Sequence, residues 1–255
     1  MLPHIAGRPL ALVRCPGGSE QKCFFQKHAN PGWPDNFRKV RIREKSGSDD
    51  YLYIDDAAGL VAAAQMDILE LHIWGSHVNK YEQPDRLVFD FDPADDVSFT
   101  AVKKGARELR ERLQQLGLES FPMATGGKGI HVVVPLARKH SWDEHRAFAE
   151  AMARLMAEDN PARYVANMAK AKRRGKIYVD FMRNHRGSTA IAPYSTRARE
   201  GAHVATPLSW NALSRLANAH PASVKDAAWL ARAGDPWKGY AKLKQVLPLS
   251  KLKTR

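Results

Sequence analysis

Apolar residues along this chain recur at two spacings, and each spacing predicts its own element. Short apolar or alternating runs bounded by Gly, Pro or charge predict strands at Leu10–Val13, Tyr51–Ile54, Ile68–Trp74, Arg86–Asp92, Ile130–Pro135 and Ile177–Phe181. The aromatic pair Phe24–Phe25 belongs to the same group of short strands joined by turns, and one of the two rings is expected in the core. Phe99, Val102, Ala106, Leu109, Leu113 and Leu116 instead follow a helical period, ending at Gly117, where a left-handed stop is wanted. Ser141-Trp142-Asp143-Glu144 matches a capping box and opens a helix that should turn Phe148, Met152 and Leu155 inward. An alanine-rich helix is predicted over Ala57–Met66, with further helices over Trp210–Ala217 and Ser223–Ala233. Mobile loops are expected at Pro31–Asn36 and Lys45–Asp50, where turn-forming residues cluster. Strands and helices alternate irregularly, which predicts an α+β fold rather than a regular parallel α/β sheet.

Composition narrows the class. With 255 residues, 44% of them hydrophobic and 26% charged, the chain is an ordinary globular sequence and not a disordered one. No run approaches the ~18 consecutive apolar residues of a membrane span, Met1 begins no signal peptide, and no internal repeat is visible. Cys15 and Cys23 are too few for a disulfide scaffold or a four-ligand zinc site. The imbalance lies in charge: 40 Lys+Arg against 27 Asp+Glu leave +13, which favours a polyanionic partner, nucleic acid ahead of an anionic membrane.

Three segments carry chemistry. Asp90 and Asp92 stand two apart on a predicted strand and therefore leave the same face, while Phe89 and Phe91 leave the other. Paired carboxylates of this kind suit Mg²⁺ or Mn²⁺ with substrate phosphates, although a strand end with two solvated aspartates reads the same way. A phosphatase of the haloacid-dehalogenase type also begins Asp-x-Asp. Here, however, Ala94 stands where Thr or Val is usual, and the downstream acidic pair is missing. The second segment, Thr125-Gly126-Gly127-Lys128-Gly129-Ile130-His131, can bring backbone N–H groups and an ammonium onto phosphate oxygens, though its spacing is not that of a Walker A loop. In the third, five basic residues lie within Lys170–Lys176, directly before a strand that ends in Asp180. Asp90, Asp92 and Asp180 together would supply the charge of a two-metal phosphoryl-transfer site, with Arg173, Lys176 and Arg197 neutralising phosphate nearby.

On these residues the sequence resembles the polymerase domain of bacterial ligase D, in the archaeo-eukaryotic primase superfamily. The matching segments run in order: GRPLALVRCP (7–16), CFFQKH (23–28), LELHIWGS (69–76), PDRLVFDFDP (84–93), TGGKGIHVVVPL (125–136), KIYVDFMRN (176–184) and TAIAPYSTR (189–197). The resemblance implies a primase-like α+β core of mixed sheets packed with helices, spanning 1–241; the residues over 242–255 read as a basic, partly frayed tail. Asp90, Asp92 and Asp180 match the metal-ligand positions. Thr125, Lys128 and His131 match the phosphate-contacting motif, with threonine in place of its usual serine. His72, Arg173 and Arg197 match positions near the incoming nucleotide, and Phe24 and Phe25 an aromatic pair near base and template. Lys22, Lys27, Arg174 and Lys176 are expected on the DNA.

The implied activity is template-directed extension of DNA 3′ ends and gap filling with NTPs or dNTPs during non-homologous end joining. It would use two Mn²⁺ or Mg²⁺ ions and prefer ribonucleotides, with His72 as a candidate sensor of the 2′-hydroxyl. Two other readings share the charge: a non-catalytic module that bridges DNA ends, and a primase that starts chains de novo. Expected partners are double-strand-break ends, a Ku-type end-binding protein and a separate ligase. The protein is expected to be monomeric, cytoplasmic and nucleoid-associated, without a membrane. Against the family pattern, the chain is expected to lack an N-terminal helical segment and, with it, part of a 5′-phosphate pocket.

Overall fold

A computed structural model of the chain describes residues 1–18 and 20–252. The first third contains α1 (Leu2–Ile5), β1 (Leu10–Arg14), β2 (Phe24–Gln26), β3 (Arg38–Glu44), β4 (Gly47–Tyr53), α2 (Ala57–Gln65) and β5 (Ile68–Trp74). Next come β6 (Arg86–Pro93), α3 (Phe99–Gln115), β7 (Phe121–Ala124), β8 (Ile130–Pro135) and α4 (Trp142–Asp159). The chain continues through β9 (Tyr164–Val165), β10 (Ile177–Asp180), β11 (Thr189–Ile191), β12 (Thr206–Pro207), α5 (Trp210–Arg215) and α6 (Ala227–Arg232).

Two sheets and a hairpin result. The larger sheet has the order β12-β7-β8-β6-β10-β9, antiparallel except for the β9–β10 pair. The smaller has the order β11-β5-β1-β2, and β3 pairs with β4 alone. This is the α+β architecture the sequence predicts.

Strand alternation assigns the faces of the larger sheet. On β6, Leu87, Phe89 and Phe91 turn to one side, where they pack with Val102, Leu109 and Leu113 of α3 and Phe148, Met152 and Met156 of α4. Ile130, Val132 and Val134 of β8 and Ile177 and Val179 of β10 join that core. Val88 and Val133 turn to the opposite side, meeting Ala190 and Ile191 of the smaller sheet. The even-numbered row of β6 therefore runs from apolar packing at Val88 into carboxylates at Asp90 and Asp92.

The helices begin where their caps are. Asp56 accepts from the Gly59 N–H at 2.8 Å, and Ser141 and Glu144 form the reciprocal capping box. Gly117 ends α3 at φ +82°. Leu155 lies on the flank of α4, because Met156 takes the inward position of the 148–152–156 stripe.

Several expectations need correction. Residues 45–50 are not a mobile loop: the cross-strand pairs Glu44–Gly47 and Arg41–Asp50 close a hairpin with a two-residue turn at Lys45 and Ser46. In the 31–36 segment Trp33 is buried against Phe37, which ties that loop to the core. The helix expected over 223–233 is split into a 3₁₀ turn (Val224–Asp226) and α6, and the first of these is closed by Ser223 and Asp226. Neither Phe24 nor Phe25 is in the core; they are 44% and 66% exposed. Cys15 and Cys23 are bonded to each other across the β1–β2 loop. Beyond residue 241, Leu247 is buried in the helix-side core and Leu249–Leu252 form a 3₁₀ turn; the end of the tail, 253–255, lies outside the described residues.

Candidate functional site

Between the two sheets opens a cleft of about 830 Å³, lined on one wall by Asp90, Asp92, His131 and the 125–129 loop, and on the other by His72, Ile191 and Arg197. Antiparallel pairing sets Asp180 of β10 directly opposite Asp90, so all three aspartates leave the same sheet face. Cations from the chain surround them. Arg183 reaches Asp90 Oδ2 at 3.4 Å and Asp180 Oδ2 at 3.3 Å, Arg173 Nη1 reaches Asp92 at 3.1 Å, and His131 Nε2 lies 3.5 Å from Asp90.

The three carboxyls respond differently to this setting. Burial alone would raise Asp90, but His131, Arg183 and Arg197 outweigh it and hold the group below the ordinary carboxylate value. Burial and the Asp90 charge raise Asp92 despite Arg173. Asp180 is likewise raised, by burial first and then by Asp90, against Arg183 and the Met182 N–H. Two acids of the three thus lack enough positive charge, and their all-oxygen donor set matches a hard divalent cation.

This deficit has a consequence for stability. A carboxyl whose folded value lies above its unfolded value contributes stability that is lost as pH rises through that interval. Asp180→Asn is therefore expected to melt higher than the parent at neutral pH in the absence of divalent ions, by about 2–4 °C for each kcal/mol relieved. The difference should vanish on acidification below the ordinary carboxylate range. Thermal melts in chelator across that range measure it, and a lower melting point for the variant at neutral pH contradicts the charge assignment.

The glycine-rich loop forms the rim on the β8 side. Thr125 is buried, and its hydroxyl donates to the Gly129 carbonyl at 3.0 Å while accepting from the Gly127 N–H at 3.3 Å. The threonine hydroxyl therefore closes the loop. Gly126 takes φ +69° and packs tightly against Val204 backbone, where a Cβ would lie 2.9 Å from Arg197 Cγ. Lys128 is exposed and ion-paired with Asp95 at the cleft mouth. Arg174 also lines the cleft, from the basic segment on its far side.

On the opposite wall, Glu70 and His72 of β5 stand on one face with Arg197. Glu70 is 5% exposed and held well below the usual carboxylate range, at about 2. Its burial acts upward, but His72, Arg197 and the Ala198 N–H overcome that effect. Arg183 and Arg199 line the cleft and Glu70 lies behind His72 and Arg197, and none of the three is a candidate from the sequence. Glu70 and Arg183 lie inside matched segments and Arg199 just beyond one, and only the pairing of distant segments shows their positions.

Other expected residues lie apart. Phe25 touches the cleft only through its ring, 5.6 Å from that of His72, and Phe24 lies under Arg14. Lys22 and Lys27 are exposed on the β1–β2 side, and Lys176 is half-buried beside β10; none of the three lines the cleft. The tight grouping of metal-ligand side chains among the described residues is a different one: His28 with Glu44 and Asp49 from the turn end of the β3–β4 hairpin, with donor atoms within 4.8 Å. With Arg183 between Asp90 and Asp180, the aspartates share a face without closing into such a cluster. No helix among the described residues is long and apolar enough to cross a membrane.

Known proteins share this fold. The family described as LigD, primase-polymerase domain, matches residues 1–237. The multifunctional non-homologous end joining protein LigD of Pseudomonas aeruginosa is 36% identical over 252 residues, covering 96% of this chain and 30% of that protein. The LigD of Mycolicibacterium smegmatis is 35% identical over 216 residues, covering 84% of this chain and 28% of its own length. The chain thus spans less than a third of these relatives. Among solved structures, the polymerase domain of Mycobacterium tuberculosis ligase D in complex with DNA aligns at a TM-score of 0.88 and 32% identity, over 95% of this chain and 87% of that one.

Proposed function

The chain belongs to the LigD primase-polymerase family, and from that premise we propose that it is a template-directed nucleotidyltransferase that extends DNA 3′ ends and fills gaps during end joining. The observation that carries the proposal is one sheet face: it bears three aspartates, two of them short of positive charge, and Asp90 and Asp92 line a cleft ringed by arginines and a glycine-rich loop.

Asp90, Asp92 and Asp180 would hold Mn²⁺ or Mg²⁺, which when bound supplies Lewis-acid stabilisation of the charge that develops in phosphoryl transfer. The chain's own residues do the rest. His131, buried and directed at Asp90, fixes that carboxylate and holds positive charge behind it when protonated. Arg197, Arg199 and Lys128 line the path a triphosphate would take, and Gly127 lets a phosphate approach the loop backbone. Arg173 and Arg174 sit on the opposite lip, suited to the DNA backbone or the leaving pyrophosphate. Phe25, exposed and next to His72, offers a face on which any base can stack. The proposed substrate is a broken duplex end with a gap or overhang, handled in the cytoplasm together with a Ku-type protein and a ligase.

The test is a gapped duplex bearing a 5′-phosphate, offered NTPs or dNTPs with Mn²⁺ or Mg²⁺. Template-directed addition, greater with NTPs and with Mn²⁺, is the expected result. Binding of the duplex without any addition under all four conditions would instead mean a non-catalytic bridging module.

A further inference from the structure

The two oxygens of Glu70 have different duties. Oε1 accepts from Arg197 Nε at 3.1 Å and from the Ala198 backbone N–H at 2.8 Å. Both partners are obligatory donors, so whatever atom occupies that place must be an acceptor. Oε2 lies 2.7 Å from His72 Nε2. A carboxylate only accepts, so the imidazole proton lies on Nε2. Burial lowers the pKa of His72, which favours a neutral ring. In that tautomer Nδ1 carries the lone pair, and the hydrogen bond of the ring among the described residues is made by Nε2. His72 lines the cleft. A lone-pair nitrogen accepts from a hydroxyl and repels a bare phosphate oxygen. Arg197, already tied through Nε to Glu70 and through Nη1 to the Thr125 carbonyl, still has Nη2 to offer an anion.

A buried carboxylate beside a site for a polyanion works against binding unless it acts through its neighbours. We infer that Glu70 is a positioning residue that locks His72 in the Nε2–H tautomer and fixes the Arg197 guanidinium, so that one wall of the cleft presents an acceptor for a hydroxyl next to a donor for phosphate. The nature of the cleft occupant rests on the polymerase reading above; the tautomer does not.

Glu70→Gln separates these roles from packing. Because the Oε1 place must remain an acceptor, the new amide NH₂ has to face His72 Nε2, which must then accept. The proton moves to Nδ1, and the acceptor becomes a donor. ¹⁵N-edited NMR of the imidazoles of the whole chain, without nucleotide, should show His72 as Nε2–H in the parent and Nδ1–H in Glu70→Gln, with His72→Gln assigning the signal. In gap filling, Glu70→Gln should raise KM for the nucleotide about tenfold while kcat changes little, the mark of lost ground-state binding. A parent protein with His72 in the Nδ1–H form overturns the inference even if the variant does not fold. A tautomer swap that leaves KM unchanged overturns the hydroxyl contact. If the parent shows the expected tautomer but extends no primer, the polymerase reading fails and the positioning role of Glu70 stands.

Discussion

Asp92→Ala is expected to reduce primer extension by at least about 10³-fold while leaving affinity for a duplex end unchanged or slightly increased. Asp92 is the outermost of the three carboxylates, with its side chain 49% exposed, so its loss opens no cavity in the core. Its burial and the neighbouring Asp90 charge keep it short of compensation even with Arg173 at 3.1 Å. That is the condition of a ligand awaiting a cation rather than of a satisfied ion pair. DNA binding should survive because the substitution removes negative charge from a cleft lined by Lys128, Arg173, Arg174, Arg197 and Arg199. Single-turnover extension with Mn²⁺, set beside an equilibrium binding titration on the same duplex, makes the comparison. Extension at the parental rate would remove Asp92 from the site, and a parallel collapse of binding would make its role structural.

Gly129→Ala should be nearly as damaging through a different link. A Cβ at this position would lie 2.5 Å from the Phe91 carbonyl oxygen and 3.3 Å from Asp90 Oδ1. The first contact is with backbone, so β6 or the loop has to move, at a cost of about 1–3 kcal/mol. β6 carries Asp90 and Asp92, and a shift of a few tenths of an ångström at a reacting centre can cost about 10²-fold in rate. We therefore expect a folded, destabilised protein with extension reduced about 10²-fold or more. Gly117→Ala is the control: it strains a positive φ at the end of α3 but meets no atom within 4 Å, so it should lower the melting point and leave extension per folded molecule intact. Equal activity losses in the two variants would show that the effect is one of stability alone.

Long periodic segments made much of this legible in the sequence. α3 announces itself through its three-and-four spacing, α4 through its capping box, and β6 through a run in which phenylalanines and aspartates alternate. What escaped is what depends on distant pairing. β9 and β12 are two residues long, too short for any periodicity to register, and exist because a neighbouring strand offers them a ladder. The 45–50 segment reads as loop because its residues are polar, yet cross-strand hydrogen bonds hold it as a hairpin. Glu70 sits in an unremarkable strand, and the arginine that explains it is 127 residues away. The burial expected for one of Phe24 and Phe25 failed because aromatic residues on a short edge strand have no second layer above them. The match of Thr125 to a phosphate-contacting motif gave no sign that its hydroxyl is engaged within its own loop.

The alternation along β6 also works as quality control. A slip of this strand by one residue against β8 or β10 would bury two carboxylates beneath α3 and α4 and push Phe89 and Phe91 into the cleft. Such a molecule forfeits its core together with its chemistry, so misregistered copies fail to fold rather than persist as inert protein. Preparations that differ widely in refolding yield should then agree in activity once normalised to the folded fraction.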